Sequence, residues 1–533
     1  MQLNFERLSA TLLVGACLAL LPTQARAQDD GMTFGVEEVD EVREASPVAQ
    51  FLDEGTKYYD QKEYYQASLL FYKVIEEPDI GADALRPKAQ YELAKTLYRL
   101  DFFQGAMNLF DKILEVGDQH PYYEATLSWL ILLNRKLAGD PEALRRMSQY
   151  ADYFPDRVPE KFRDEFAYLM GRHFYQEADL DRSLEFLKFV GKGSEFYPEA
   201  QFLIGITHVR RYDANPAVEA FKNILSFLSD KDMADPRFKT LEQLTLLSMA
   251  RTFYSTGQYD KAVKYYNFLP QGSEFWLSGL FEESWAYFQG DRFNRALGNL
   301  HTINAPFFDD EYFPESVILQ AVIFFTNCRY DRVRLTIEEF DLIYPELKGQ
   351  LETYLDQYQD PTALYEFLVK INDGSGDYDP RLNQILSAAL TDKTLKRTIE
   401  FVEELDREVG QLEKTDPSWR DSTLGKWLFG ELTFSKSFAL NGAGELARAR
   451  LERVARELND LIKQSKKILI ETAKAETSAL DQQLKDEGFQ ASAEGSGDDV
   501  TVNDEHVYWT FRGEYWRDEL GYYLYNIRRQ CGR

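Results

Sequence analysis

Residues 171–205 read GRHFYQEADLDRSLEFLKFVGKGSEFYPEAQFLIG, and at Gly205 the pattern starts again. After Gly171 come Phe174, Ser183, Leu187 and Val190; after Gly205 come His208, Ala217, Phe221 and Ile224 at the same offsets. The two anchors are 34 residues apart. A repeat of that length holds two helices and the turn between them. Small residues at the anchor and twelve positions later let the two helices approach closely. The larger residues at the other offsets fill the space between helices.

The pattern extends in both directions. Ala250, Phe253, Ala262, Tyr266 and Leu269 are followed at the same period by Ser284, Tyr287, Ala296, Leu300 and Ile303. With longer connections, Gly55, Tyr58, Ala67, Phe71 and Val74 form a first unit, and Ala94, Leu97, Ala106, Phe110 and Ile113 a second. Ala321, Phe324, Val333, Ile337 and Phe340 form the last, followed by Pro345. Residues 123–150 read as a degenerate unit. Turn signals fall at Lys62-Glu63-Tyr64, Leu180-Asp181, Gly257-Gln258-Tyr259 and Gly290-Asp291-Arg292. One unit cannot bury its apolar faces alone, whereas a stack can, and the stack curves around a concave groove.

From Phe51 to Pro345 the chain resembles the tetratricopeptide repeat (TPR) family. The resemblance implies an all-α superhelical solenoid that binds proteins, and here a long helical hairpin or coiled coil follows it. Ser284 and Val333 depart from the usual small residues of the repeat. The segment from Phe51 to Ile75, with Tyr64-Tyr65-Gln66-Ala67 in it, is loosely similar to bacterial envelope TPR proteins. Those are the lipoproteins of outer-membrane protein assembly and the TPR components of myxobacterial gliding motility.

In a TPR, first-helix residues three before, one after and four after the anchor face the groove. Those positions, with Tyr59 of the first unit, are Tyr91, Lys95 and Tyr98; Tyr168, Arg172 and Tyr175; Arg251 and Tyr254; Phe281, Trp285 and Phe288; and Phe325. The resemblance assigns this aromatic and basic strip to partner binding. Arginine and aromatic side chains are favoured anchors at interfaces. An acidic or C-terminal peptide would pair with Lys95, Arg172 and Arg251. The bland alternative is that the aromatic residues pack neighbouring helices.

Composition bounds the partner. The 533 residues carry a formal charge of −28, which excludes broad affinity for nucleic acid phosphates and for anionic lipid. Hydrophobic residues make up 44%, enough to bury a core. No Gly-rich phosphate loop, GxSxG or HExxH occurs, and the five histidines are scattered. The reading is therefore a non-enzymatic scaffold with no cofactor and no metal. An oligomerising coiled-coil protein is the second reading, and an unrecognised envelope enzyme a distant third.

The first residues read as an address. An apolar run from Leu8 to Pro22 is too short to span a bilayer, and Ala25-Arg26-Ala27 gives a cleavage signal. The mature chain would start at Gln28 and lie in the periplasm, with no transmembrane helix. The alternative is an outer-membrane lipoprotein, because Val14-Gly15-Ala16-Cys17 resembles a lipobox with Cys17 as the lipidated residue. Cys328 and Cys531 are no disulfide framework, though one bridge fits an oxidising compartment.

The expected organisation follows. Residues 1–27 are the signal peptide and 28–48 a linker. Residues 49–346 hold seven to eight repeats, and 347–380 a helical connector and loop. Residues 381–488 form long helices or a coiled coil, 489–505 a linker, and 506–533 an aromatic C-terminal segment. The acidic loop 372–377 does not fit a calcium site, since Tyr378 and Gln384 stand where Gly and Glu are needed. Asn441-Gly442-Ala443-Gly444 reads as a turn. After it, Ala447, Leu451, Val454, Leu458, Leu461, Ser465 and Ile468 alternate by four and three, as a coiled-coil seam does. The tail between Tyr508 and Tyr525 holds eight aromatics and reads as a last helix docked on the core, or as a partner-binding segment.

Overall fold

A computed structural model describes residues 47–78, 83–229, 235–308, 311–372, 382–383, 385–386, 393–485 and 506–531. The segment read as a signal peptide, the lipobox-like stretch with Cys17 and residues 373–377 of the acidic loop lie outside these residues. So do nearly all of the linker at 28–48 and all of the linker at 489–505. The described residues are all-α. Eight helix pairs run in chain order: α1 (Pro47–Asp60) and α2 (Tyr64–Glu76), α3 (Arg86–Arg99) and α4 (Phe103–Val116), α5 (Tyr123–Lys136) and α6 (Ala143–Ser148), α7 (Arg163–Gln176) and α8 (Leu180–Leu187). Then come α9 (Tyr197–Arg210) and α10 (Ala214–Leu228), α11 (Pro236–Ser255) and α12 (Tyr259–Tyr266), α13 (Trp276–Gln289) and α14 (Phe293–Ile303), α15 (Pro314–Thr326) and α16 (Tyr330–Gln357). The remaining helices are α17 (Pro361–Asn372), α18 (Lys393–Lys414), α19 (Pro417–Arg420) and α20 (Thr423–Lys485). The unit read as degenerate is the α5/α6 pair, whose second helix has only six residues.

The repeat spacing has a direct structural cause. A Cβ on Gly55 would sit 2.7 Å from the Phe71 ring, and one on Gly171 would collide with Leu187. Both partners lie sixteen residues after their anchor, so the anchors are small because the second helix crosses there. Ser183, twelve after Gly171, donates its hydroxyl to the Gly171 carbonyl at 2.9 Å and stays buried without a polar penalty. Ala67, Ala106, Ala217, Ala262 and Ala296 are fully buried at the equivalent position.

The turn between the helices is equally regular. Seven residues after each anchor the backbone turns left-handed, at Lys62, Asp101, Ala178, Tyr212, Gly257, Asp291 and Cys328. The amide of that residue donates three residues back, as from Lys62 to Tyr59 at 2.9 Å. At six of the seven turns the next amide donates five residues back, as from Glu63 to Tyr58 and from Arg329 to Phe324, each at 2.9 Å. These bonds satisfy the last carbonyls of the first helix. Only one of the seven is glycine, so the others accept roughly 1 kcal/mol or more of backbone strain. In the α7/α8 unit the turn is at 177–179, and Leu180-Asp181, read as the turn, open α8.

The chain divides into two compact bodies. The first comprises residues 47–207 with Lys393–Leu446. Here α18 and the start of α20 cover the second helices of the first two repeats. Glu408 accepts from the Gln104 amide at 2.8 Å, at the start of α4. The Gln411 amide donates to the Leu100 carbonyl at 2.6 Å. Trp419 stacks on Phe102 with ring centres 5.6 Å apart and donates to Ser68 at 2.9 Å.

The second body comprises His208–Asp392 and the residues from Ala447 onward. The later part of α20 runs antiparallel to α16. Arg448 donates to the Leu355 carbonyl at 3.2 Å, Ser465 to Asp341 at 3.1 Å, and Arg334 pairs with Glu476. Every residue of the seam from Ala447 to Ile468 is buried.

Three expectations are corrected. Asn441–Gly444 is no turn, because α20 is one helix of 63 residues. Ala439, Ala443 and Ala447 recur every fourth residue and are buried, so that face holds the helix through its glycines. Pro345 does not follow the last helix but lies inside α16, which continues and buries Leu347, Leu351 and Leu355. The tail is no helix. It lies extended on the second body, with the Gly521 amide on the Thr302 hydroxyl at 2.9 Å and the Tyr525 amide on the Asn294 carbonyl at 3.0 Å. A side chain on Gly298 would collide with the Tyr523 carbonyl, so glycine there is what lets the tail lie flat. Leu520, Tyr523 and Ile527 enter the core, and Tyr515 stacks on His301 at 4.6 Å. A disulfide between Cys328, in the last repeat's turn, and Cys531 fastens it.

Candidate functional site

The strip of first-helix residues separates into a buried part and a half-exposed part. Tyr91, Tyr98, Tyr168, Tyr175, Phe281 and Trp285 are buried. Tyr91 stacks on Tyr122 with centres 4.6 Å apart and accepts from the Trp129 indole at 3.0 Å. Tyr98 meets Trp129 edge-on. These rings therefore pack one unit against the next, as the bland alternative had it. Tyr59, Lys95, Arg172, Tyr254, Phe288 and Phe325 are half-buried.

The three cations share one repeat offset and have three environments. The Lys95 ammonium pairs with Glu92 at 2.8 Å and lies 5.1 Å over the Tyr59 ring and 5.3 Å over that of Tyr91. Tyr59 also hydrogen-bonds Arg99, and burial raises its phenol. Arg251 is 8% exposed, a core residue rather than a spare groove cation. It makes a two-pronged pair with Glu282, at 2.8 and 2.6 Å, and Tyr266 donates to the same carboxylate at 3.1 Å.

Arg172 differs from both. Its guanidinium lies 6.0 Å over the Tyr168 ring, one turn away on α7. Among the described residues it has no carboxylate partner, and its Nε is buried without a hydrogen bond. The Tyr168 hydroxyl is likewise buried and unbonded. Burial pushes that phenol up to about 12, against the pull of Arg172 and Arg397 and with the push of Glu199. Arg397, on α18, is brought down to about 10 by burial and by the positive charge of Arg172 beside it. Two guanidiniums of the first body thus act electrostatically on Tyr168 and on each other. Arg397 comes from a segment more than two hundred residues away, and no repeat rule signals it.

In the second body, Tyr254 lies 5.5 Å from Tyr259, and Phe288 packs between Trp285 and Phe293, each 5.9 Å away. Phe325 meets Tyr330 at 6.0 Å. All three rings are partly buried against the core of the second body. Among the described residues, no three His, Cys, Asp or Glu side chains gather as metal ligands, and no helix is long and apolar enough to cross a membrane.

No family model and no curated protein matches the chain. Among solved structures it is similar to the apo form of RapI, at 13% identity and a TM-score of 0.34, over 68% of this chain and 99% of that one. It is similar to a tetratricopeptide repeat protein from Parabacteroides merdae, at 13% identity and 0.26, over 56% and 93%. It is also similar to yeast Tom70, at 14% identity and 0.19, over 82% and 99%. With its helix pairs, small anchors and left-handed turns at a fixed offset, the chain folds as an all-α array of helix–turn–helix repeats.

Proposed function

We propose that the protein is a non-enzymatic scaffold of the bacterial cell envelope. It binds partner proteins through the first-helix strip of the repeats. The observation that carries the reading is Arg172: a half-buried cation with no carboxylate partner among the described residues, beside a second guanidinium, in a chain of charge −28. A structural arginine would have a counter-ion at hand, as Arg251 has. A surface that keeps a cation without one suits an acidic partner segment. Lys95 and Tyr59 extend this surface. Tyr254, Phe288 and Phe325 offer apolar anchors in the second body.

Periplasmic export through the N-terminal address belongs to the same reading, with lipidation at Cys17 as its alternative. An assembly or gliding-motility complex is the setting that the loose family likeness suggests. The test is a pulldown from the native envelope with Arg172→Glu and Lys95→Glu variants. Loss of the dominant partner from folded variants is the expected result. Equal recovery by wild type and both variants would sink the strip as the binding surface.

A further inference from the structure

A different surface carries an inference of its own. On α20, Phe434 and Phe438 are 73% and 65% exposed. They stand one helical turn apart on the same face. Gly430 and Gly442 stand one further turn away on either side, and a Cβ at either would meet nothing within 4 Å. Intramolecular packing therefore does not explain these glycines, although each weakens a helix interior. Two adjacent exposed phenylalanines in the middle of a helix are an interaction surface rather than ordinary surface scatter.

The order of these residues says what covers them. Read along the face it is Gly, Phe, Phe, Gly, and read backwards it is the same, with the midpoint at Lys436. A two-fold interface needs this self-complementarity, because the same patch must face itself reversed. We propose that this face of α20 binds the same face of a second copy of the chain, antiparallel, about a two-fold axis level with Lys436. Each Phe434 then packs on Phe438 of the second copy. Gly430 lies opposite Gly442, and the absent side chains let the two helices close on the rings. The charges at the ends agree. Lys426, ten residues before the midpoint, and Glu445, nine after it, are both exposed. The reversed register brings each Lys426 beside the other copy's Glu445. An anionic lipid surface fits less well, given the charge of −28.

The experiment is sedimentation of the full chain over a concentration series. Wild type is expected to show a reversible monomer–dimer equilibrium. The Phe434→Asp, Phe438→Asp double variant should weaken it at least tenfold with circular dichroism and melting temperature unchanged, because both rings are exposed. Gly442→Leu should weaken it too, by holding the helices apart. Lys426→Glu and Glu445→Lys should each weaken it, and the two together should restore it. A wild type that stays monomeric up to about 100 µM overturns the proposal. So does a dimer that is indifferent to the phenylalanine substitutions. A dimer that is not restored by the charge exchange overturns the antiparallel register.

Discussion

Arg172 and Arg251 occupy one repeat position in two parts of the array, each one residue after a small anchor, yet they do opposite work. Arg251 is closed into the second body by Glu282. Glu282 lies 31 residues on, in the first helix of the next unit. The residue 31 after Arg172 is Leu203, fully buried. The repeat thus fixes where a side chain points, and the following unit decides whether it is satisfied. An arginine answered by a carboxylate in the next unit is part of the stack. An arginine answered by leucine stays available to something outside it.

Glu282→Ala breaks this comparison at its structural end and should have the largest effect. It would strip buried Arg251 of its two-pronged carboxylate and remove the acceptor of Tyr266. A loss of about 3–5 kcal/mol is expected, read by chemical denaturation. A change of only a few tenths would mean that Arg251 finds water and that the buried pair is no strut.

The neighbouring Glu283 sharpens the same site through pH. It is buried and accepts from Asn267 at 2.5 Å and Asn299 at 2.8 Å. Burial raises its carboxyl from 4.5 to about 7, with those amides opposing. The folded state then holds a proton that the unfolded chain gives up. Its contribution is fully present below pH 4.5 and is lost as pH rises to about 7. The slope from this one group is at most about 1.4 kcal/mol per pH unit. Glu283→Gln should flatten the fall of stability across that window. Wild type and variant with identical pH profiles would place the proton elsewhere.

Arg172→Gln should have the smallest effect on the fold, within about 0.5 kcal/mol, since no ion pair is lost. Relief of the neighbouring positive charge should also let the Arg397 guanidinium rise. A large drop in melting temperature would show that Arg172 is structural after all and erase its contrast with Arg251.

Much of this architecture is legible in the residues. Gly55 answers Phe71 and Gly171 answers Leu187 across sixteen positions, because a fixed helix crossing imposes a fixed spacing. The left-handed turn position is legible at Lys62, Gly257 and Asp291, where turn signals stand, and not at Asp101, Ala178, Tyr212 and Cys328. Lys62, Ala178, Tyr212 and Gly257 share a backbone conformation and no chemistry, because the hydrogen bonds around the turn compensate the strain. Asn441–Gly444 misleads for the converse reason: glycine and asparagine signal a break locally, and the buried alanine face overrides them. The tail defeats helical reading because its register is set by docking, above all at Gly298. Of the candidate strip, the sequence places every residue on a first helix. It does not reveal that Arg251 is spent internally, nor that Arg397 arrives beside Arg172, since both depend on which segments meet.

The bond between Cys328 and Cys531 makes the chain a lariat, with 203 residue steps inside the ring. A pull applied at residue 47 and at residue 531 would travel along the first repeats and cross directly through the sulfurs. The long helices and the docked tail would feel no tension. Fully extended, the shielded segment is worth about 700 Å of slack. A stretched oxidised molecule would therefore stop short by that length, and adding a reductant would let it out.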